Sequence, residues 1–452
     1  MVQTRQSGES VLTAPQGDGT GRRVLTGARF EGVLILLGLA ALLFLLPHAI
    51  FGDAIDRMNE LSLLLSKGVI SSRKYSMIGP LFSSPLWLLG NATHTPFGAL
   101  ARFNWTLFAL CLGATYWLLR DRVDRRLLRI FFLLLIAASM FPNHLRGYYG
   151  ETFTALLVGM GLLLVACGYR VGGWVAVVLG VANTPAVLVG MGLAVVRRVF
   201  ERRAPRVLLA LAAAVALIGA ENWIRRGSPL HAGYEAGFTY PFFFGLLGVL
   251  LSFGKGIVFY APGLLLPVRA ALLTLREGMK RELYSAYVMW LCFLAGLVLV
   301  YANWWAWSGD WYWGPRFFLL ASIPASFAIA VRLCRPSAKL VGNLLTLGAL
   351  GLSTWVGIDG AVFDLNTLAS VCQYNNYAQE DLCHYIPQYS ALWRPFVVAE
   401  QLTWQNWLFI AYCVLVFAYL MLPLLQTIVR QGRELADSFR RTYLTRAAWQ
   451  RF

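Results

Sequence analysis

The sequence predicts an all-α protein, a polytopic transmembrane helical bundle of about 11–12 spans. Three observations predict it. Of 452 residues, 58% are hydrophobic and only 13% charged, with a mean hydropathy of +0.60; a soluble chain carries about 25% charged residues. Apolar stretches near the roughly 20 residues that a spanning helix needs recur along the whole chain. The basic residues behind the net charge of +17 fall mostly in short segments that alternate with longer, less basic ones. The 63 aromatics (28 Phe, 19 Tyr and 16 Trp) cannot coat a water-facing globule. The composition argues against a soluble enzyme, a disordered chain or a nucleic-acid-binding module.

Spans are expected near 30–51, 99–119, 127–142, 150–168, 206–222, 256–275, 283–301, 316–333, 338–358 and 404–428. One more apolar stretch, 172–196, is interrupted by Asn183-Thr184-Pro185, which breaks a helix. Arg170 precedes it, and Arg197, Arg198, Arg202, Arg203 and Arg206 follow it. A hairpin keeps both basic flanks on one side, so a hairpin is expected. With the N-terminus inside, 28 of the 39 Lys and Arg lie in cytoplasmic segments and 11 outside, in line with the positive-inside trend.

The expected organisation is therefore a cytoplasmic tail at 1–29, a transmembrane domain at 30–428 with outer loops 52–98, 223–255, 302–315 and 359–403, and a basic cytoplasmic tail at 429–452. The expected location is the inner (plasma) membrane, multi-pass, with both termini cytoplasmic. The last tail carries basic residues up to Arg451 with Trp449 and Phe452, and either lies on the anionic inner leaflet or is simply solvated.

All five histidines and twelve of the 22 acids fall on or near the outer side, so chemistry is expected there. The first outer loop opens with Gly52-Asp53-Ala54-Ile55-Asp56-Arg57, followed by a helical pattern and a Pro/Ser-rich apolar stretch from Met77 to Leu89 that reads as two short interfacial helices. An acid at the membrane boundary is costly unless solvated or used; helix capping is the structural alternative for Asp53 and Asp56. Pro142-Asn143-His144-Leu145-Arg146-Gly147-Tyr148-Tyr149-Gly150-Glu151 leads into the fourth span, where an acid also suits a helix N-terminus. Ser252-Phe253-Gly254-Lys255-Gly256, then Tyr260-Ala261-Pro262, offers a glycine turn and an ammonium to a phosphate, without P-loop spacing. The densest cluster runs Asn303 to Arg316 and holds five tryptophans within ten residues, with Gly309-Asp310 and Gly314-Pro315-Arg316 embedded. Interfacial anchoring explains part of it. An arginine at the outer boundary runs against the charge trend and calls for a carboxylate or a phosphate.

Taken in order and by side, these motifs resemble bacterial members of the GT-C superfamily of polytopic glycosyltransferases, near the protein mannosyltransferase and lipid A aminoarabinose transferase branches. The resemblance covers roughly residues 30–333. It implies a GT-C-like fold, a polyprenyl-phosphate-linked sugar donor, and a glycan, lipid or protein acceptor on the outer face. By position it makes Asp53 the general base, with Asp56 the rival, because many relatives carry two adjacent acids where this chain has Ala54. Arg316 and Lys255 match positions suited to the donor phosphate, and Arg73 and Lys74 are further candidates. Glu151, Tyr148, His144 and Asp310 would meet the sugar or acceptor, and Trp307, Trp311 and Trp313 would offer stacking faces. A single displacement with one base implies inversion.

Cys372 and Cys383 share the last outer loop, and an oxidising compartment would let them pair. No Cys/His set has zinc spacing; no cofactor is implied, and a divalent cation on outer carboxylates is left open. Membrane lipids are the remaining expected partners, and nucleic acid is not. The alternatives are a transporter or flippase of lipid-linked sugars, for which a paired broken helix is missing, and an O-antigen polymerase or ligase using His384, Arg394 and Arg146.

Overall fold

A computed structural model describes residues 19–449 except 232, 234–236, 276–278, 310–311, 364–370 and 374–377. Among the described residues it is helical throughout, with one isolated parallel bridge, Ala49 to Gly147. The long or buried helices are α1 (Gly19–Phe44), α2 (Asp53–Lys67), the short α3 (Ile78–Phe82), α4 (Ser84–Ala92) and α5 (Pro96–Ala101), then α6 (Phe103–Leu119), α7 (Arg125–Ala137), α8 (Phe141–His144) and α9 (Gly150–Ala166). They continue as α10 (Arg170–Asn183), α11 (Leu188–Arg202), α12 (Leu208–Arg226), α13 (Phe242–Leu251), α14 (Ile257–Tyr260), α15 (Arg269–Leu273), α16 (Lys280–Tyr301), α17 (Ser322–Cys334), α18 (Leu340–Val362), α19 (Glu380–Tyr385) and α20 (Trp404–Trp449).

Six of the described helices are long and apolar enough to cross a membrane, and four shorter apolar ones accompany them. Large apolar side chains on α1, α6, α12 and α20, among them Leu36, Leu110, Leu209 and Trp407, face outward. An apolar exterior around a packed interior is what lipid as solvent selects, and the chain is a multi-pass membrane protein.

Small residues set the packing. A Cβ on Gly173 would sit 2.7 Å from the Gly161 carbonyl oxygen, so α9 and α10 touch backbone to backbone. A Cβ on Gly296 would lie 2.2 Å from the Gly190 nitrogen, which joins α11 to α16 in the same way. Close backbone approach at glycine is the usual basis of helix association in a membrane. These contacts also fix direction. Asn183, at the end of α10, bonds the Gly150 carbonyl at the start of α9, so the two helices run antiparallel. Arg198 reaches Met289 of α16 while Gly190 meets Phe293, so α11 runs back toward the end where α10 began. The 172–196 stretch is a hairpin, turned by Asn183-Thr184-Pro185. At the other edge, α20 runs antiparallel to α1: Tyr412 donates to the Leu34 carbonyl at 3.1 Å and Tyr419 to Glu31 at 2.8 Å. The described chain therefore starts and finishes at the same end of the bundle, opposite Asp53.

Several boundaries differ from the sequence reading, each for a local reason. The first span ends at Phe44 instead of 51, before Pro47. The helix expected to end near 142 stops at Ala137. The stretch 256–275 is not one helix: Pro262 and Pro267 divide it into α14, a 3-10 turn at Pro262–Leu265, and α15. The first loop carries four helices instead of two. Helix α1 begins at Gly19, inside the region read as a tail, and α20 continues through Pro423 to Trp449, so the basic C-terminal segment prolongs the last span.

Candidate functional site

The segment before α2 is laid alongside the loop before α9. Ala49 N–H donates to the Arg146 carbonyl at 2.9 Å, Phe51 packs edge-on to Tyr149, and Asn104 donates to the Gly147 and Tyr149 carbonyls at 2.6 and 3.1 Å. Gly52 then turns with φ +57°, a conformation glycine adopts freely, and Asp53 opens α2. The Gly52 position has no side-chain cap. The Asp53 carboxylate turns to Arg316, whose Nη1 donates to Oδ2 at 3.1 Å across 263 residues of sequence.

Arg316 follows Pro315 at the head of the 3-10 turn that leads into α17. Two glycines at positive φ shape the loop before it. A Cβ on Gly309 (φ +75°) would sit 2.9 Å from Arg316 Cγ, and one on Gly314 (φ +62°) 2.9 Å from the Tyr260 ring. The guanidinium carbon lies 5.5 Å from the Tyr312 ring centroid and 5.1 Å from that of Phe317. Glu151, in the first turn of α9, adds its field to that of Asp53 at this guanidinium.

The 68–77 loop closes the site from the far side. Tyr75 hydrogen-bonds the Asp53 carboxylate, and the Arg57 and Lys74 cations lie over the Tyr75 ring at 4.7 and 5.0 Å. Burial pushes the Asp53 carboxyl up, but Arg316, the Tyr75 bond, Arg57 and Lys74 together outweigh it and hold the group below its ordinary range. The arrangement is an ionised carboxylate and a planar cation facing each other at one end of the bundle, with further positive charge around them.

The other residues singled out from sequence fall into separate places. Asp56, one turn along α2, pairs with Arg73 on the exposed rim. Lys255 is buried, and its ammonium donates to the backbone carbonyls of Tyr312 and, at 3.2 Å, Gly314. It braces the loop ahead of Arg316 from behind. Tyr148 is buried against Phe103, with its hydroxyl 2.6 Å from that of Ser83. His144 is fully buried beside Tyr312 and Trp313; burial drives its imidazole down to about 4, so it is neutral.

Trp307 and Trp313 are both buried. Trp307 is buried between Gly248, Tyr240 and His384, and Trp313 between Tyr260, His144 and Gly360, its Nε1–H donating to Asp359 at 2.7 Å. Neither ring has a free face for a sugar. Asp310 and Trp311 lie outside the described residues. Among the described residues no three His, Cys, Asp or Glu side chains gather as a metal site.

Sequence reasoning missed Arg57, Tyr75 and the ion cluster behind them. Arg57 was legible, since it follows Asp53 by one helical turn and so shares its face. The cluster was not, because its members are far apart in sequence. Arg225, at the end of α12, bonds Glu60 and Glu221 at 3.0 Å each and the Ser71, Arg73 and Tyr75 carbonyls. Glu221 in turn accepts from Ser76 and the Met77 N–H at 2.8 and 2.6 Å. Arg225 and Glu60 are both almost wholly buried, so removing one strands the other. Arg225→Ala is expected to destabilise the protein by about 3–5 kcal/mol and expose the 68–77 loop to protease. Thermal unfolding in detergent and limited proteolysis check both effects.

Cys372 and Cys383 are joined by a disulfide, and the helix that contains Cys383, α19, docks on the turn that presents Lys255. Gly254 N–H donates to the His384 carbonyl at 2.9 Å, and a Cβ on Gly254 would clash with the Cys383 carbonyl oxygen at 2.0 Å. Peptide mapping is expected to recover the two cysteines as one linked peptide that separates on reduction. A Cys372→Ser/Cys383→Ser variant is expected to unfold more easily by about 2–3 kcal/mol, the value for a short closed loop.

No family model matches the chain, and no curated protein matches it. Among solved structures it is similar to ArnT from Cupriavidus metallidurans in the apo state, at 13% sequence identity and a TM-score of 0.48, covering 89% of this chain and 78% of that one. It is similar also to ArnT from the same organism bound to undecaprenyl phosphate, at 12% identity and a TM-score of 0.49, with the same coverage.

Proposed function

We propose that this protein is a membrane glycosyltransferase that moves a sugar, hexosyl or pentosyl, from a polyprenyl-phosphate donor to an acceptor hydroxyl. The observation that carries the reading is the Asp53–Arg316 pair, an acid and a boundary arginine brought to 3.1 Å at one end of the bundle. Both ends of the described chain lie at the opposite end, which supports an outer-face site with cytoplasmic termini.

In this reading the donor phosphate takes Arg316, whose planar fork suits two phosphate oxygens. The carboxylate of Asp53 is thereby released. Because Arg316 is the largest influence holding its proton affinity down, neutralising that cation weakens the opposition to burial, and the group becomes a stronger base as the donor binds. Asp53 takes the acceptor hydroxyl proton, the acceptor oxygen bonds the anomeric carbon, and the bond from that carbon to the phosphate oxygen breaks. The electron pair leaves with the polyprenyl phosphate, and Arg316 stabilises the charge that develops there. One displacement inverts the anomeric centre. Lys74 adds a second cation, Glu151 meets sugar or acceptor hydroxyls, and Lys255 holds the Tyr312–Gly314 backbone so that Arg316 stays aimed.

The test is to reconstitute the protein in liposomes with a panel of polyprenyl-phosphate sugars and a lipid or glycan acceptor. Release of free polyprenyl phosphate coupled to acceptor glycosylation supports the reading. Movement of intact donor between leaflets without cleavage would replace it with a flippase.

A further inference from the structure

A charged cavity lies at the far end of the bundle, away from Asp53. Its walls come from three helices: Arg197 and Glu201 on α11, Arg269 and Leu273 on α15, and Arg281, Tyr284 and Ser285 on α16. The space is about 320 Å³, enough for a phosphate headgroup. Three guanidinium groups line it against one acid among the described residues, and that acid is engaged with Arg197 at 2.9 Å. Arg269 and Arg281 have no acidic partner among the described residues; Arg269 rests 5.9 Å from the Tyr284 ring centroid. At the same end Arg129 pairs with Glu31 and Arg125 with Asp121, both at 2.5 Å. Among the described residues, the cavity gathers three guanidinium groups from three helices around one carboxylate.

Its surroundings indicate the source of the anion. Leu193, Val196 and Phe200 on α11 and Leu273 on α15 are exposed beside it, Phe200 by 81%. An apolar flank next to a cationic hollow fits a molecule with a phosphate at one end and hydrocarbon at the other.

We propose that the Arg197–Arg269–Arg281 cavity binds the phosphate of an anionic phospholipid, whose acyl chains lie along the exposed face of α11. Arginine forks grip such a phosphate with paired charge-assisted hydrogen bonds. The bound headgroup links α15 to α11 and α16, three elements that otherwise meet around an electrostatic gap. This site is independent of the chemistry assigned to Asp53 and Arg316.

The experiment is a titration of the purified full-length chain in neutral detergent, followed by native mass spectrometry. The probes are dioleoylphosphatidylglycerol, dioleoylphosphatidylcholine and inorganic phosphate. Wild type is expected to bind phosphatidylglycerol saturably and in preference to phosphatidylcholine. An Arg269→Gln/Arg281→Gln variant is expected to bind it about 20- to 30-fold more weakly, at about 1 kcal/mol for each cation lost. Equal binding by the two proteins overturns the site. Displacement of the lipid by millimolar inorganic phosphate, with phosphate retained in its place, overturns the lipid as occupant. Hydrogen exchange on wild type does not depend on the variant folding. Peptides spanning 193–201 and 269–285 are expected to be more protected in phosphatidylglycerol nanodiscs than in phosphatidylcholine nanodiscs, and identical exchange overturns the proposal.

Discussion

Asp53→Asn is expected to lose about a thousandfold in kcat for sugar transfer, within the range that a positioned general base supplies. Asparagine keeps the shape of the side chain and can still accept a hydrogen bond from Arg316, but it cannot take the acceptor proton. The fold is expected to survive. Asp53 is about one-third exposed, and an ion pair that open to solvent contributes roughly 1 kcal/mol or less. The diagnostic feature is the split between kinetic constants. In the resting protein Asp53 competes with the donor phosphate for Arg316, so losing its charge leaves the donor KM unchanged or lower while kcat collapses. A purely structural acid would raise KM or lower the yield of folded protein. Asp56→Asn, which loses only an exposed partner of Arg73, is the control and is expected to keep transfer within a few-fold of wild type. Near-wild-type kcat in Asp53→Asn, with loss in Asp56→Asn or Glu151→Gln, would move the base to one of those residues.

Arg316→Gln is expected to cost about 10²–10³ in kcat/KM, the usual loss when one fixed group that stabilises developing negative charge is removed. Arg316→Lys keeps the charge but not the planar fork and is expected to recover part of that loss. The two variants also move the pH profile. In wild type, burial raises the Asp53 carboxyl and Arg316, Tyr75, Arg57 and Lys74 bring it below its ordinary value. Removing Arg316 takes away the largest of the lowering influences, so the carboxyl titrates at higher pH. A base works only above its own pKa, so the acidic limb of kcat/KM shifts to higher pH in Arg316→Gln and less so in Arg316→Lys. A fall in rate with an unmoved acidic limb would separate Arg316 from Asp53.

The parts of the site that sequence made legible are those that violate a trend. The sequence pattern reads Asp53 as an acid at a membrane boundary and Arg316 as a cation on the side expected to hold few; each needed an explanation, and the two are each other's partner. Lys255 violated the same trend for a different reason. Its ammonium donates to two backbone carbonyls, and neither the Gly-Lys-Gly spacing nor the charge balance distinguishes a lysine facing a ligand from one facing a loop. The burial of Trp307 and Trp313 was not legible, because composition does not report which side of a ring is covered. Gly248 and Gly360 leave the hollows that Trp307 and Trp313 fill, and those glycines lie far away in sequence.

The hairpin at 172–196 was readable because a helix breaker and matching arginine flanks lie within one short segment. The Arg225 cluster, which carries the loop bearing Tyr75, was not. Its ion pair spans 165 residues and leaves no local pattern. Backbone proximity, as where Ala49 lies beside Arg146 to bring Asp53 toward Glu151, is likewise set by packing and not by periodicity.

The most direct measurement is a cryo-electron microscopy map of the wild-type protein reconstituted with polyprenyl phosphate. Density for the phosphate within hydrogen-bonding distance of the Arg316 guanidinium, with the Asp53 carboxylate parted from it and facing the space where an acceptor would stand, is the expected result. An intact Asp53–Arg316 pair, with the lipid phosphate bound at a different place, would contradict it.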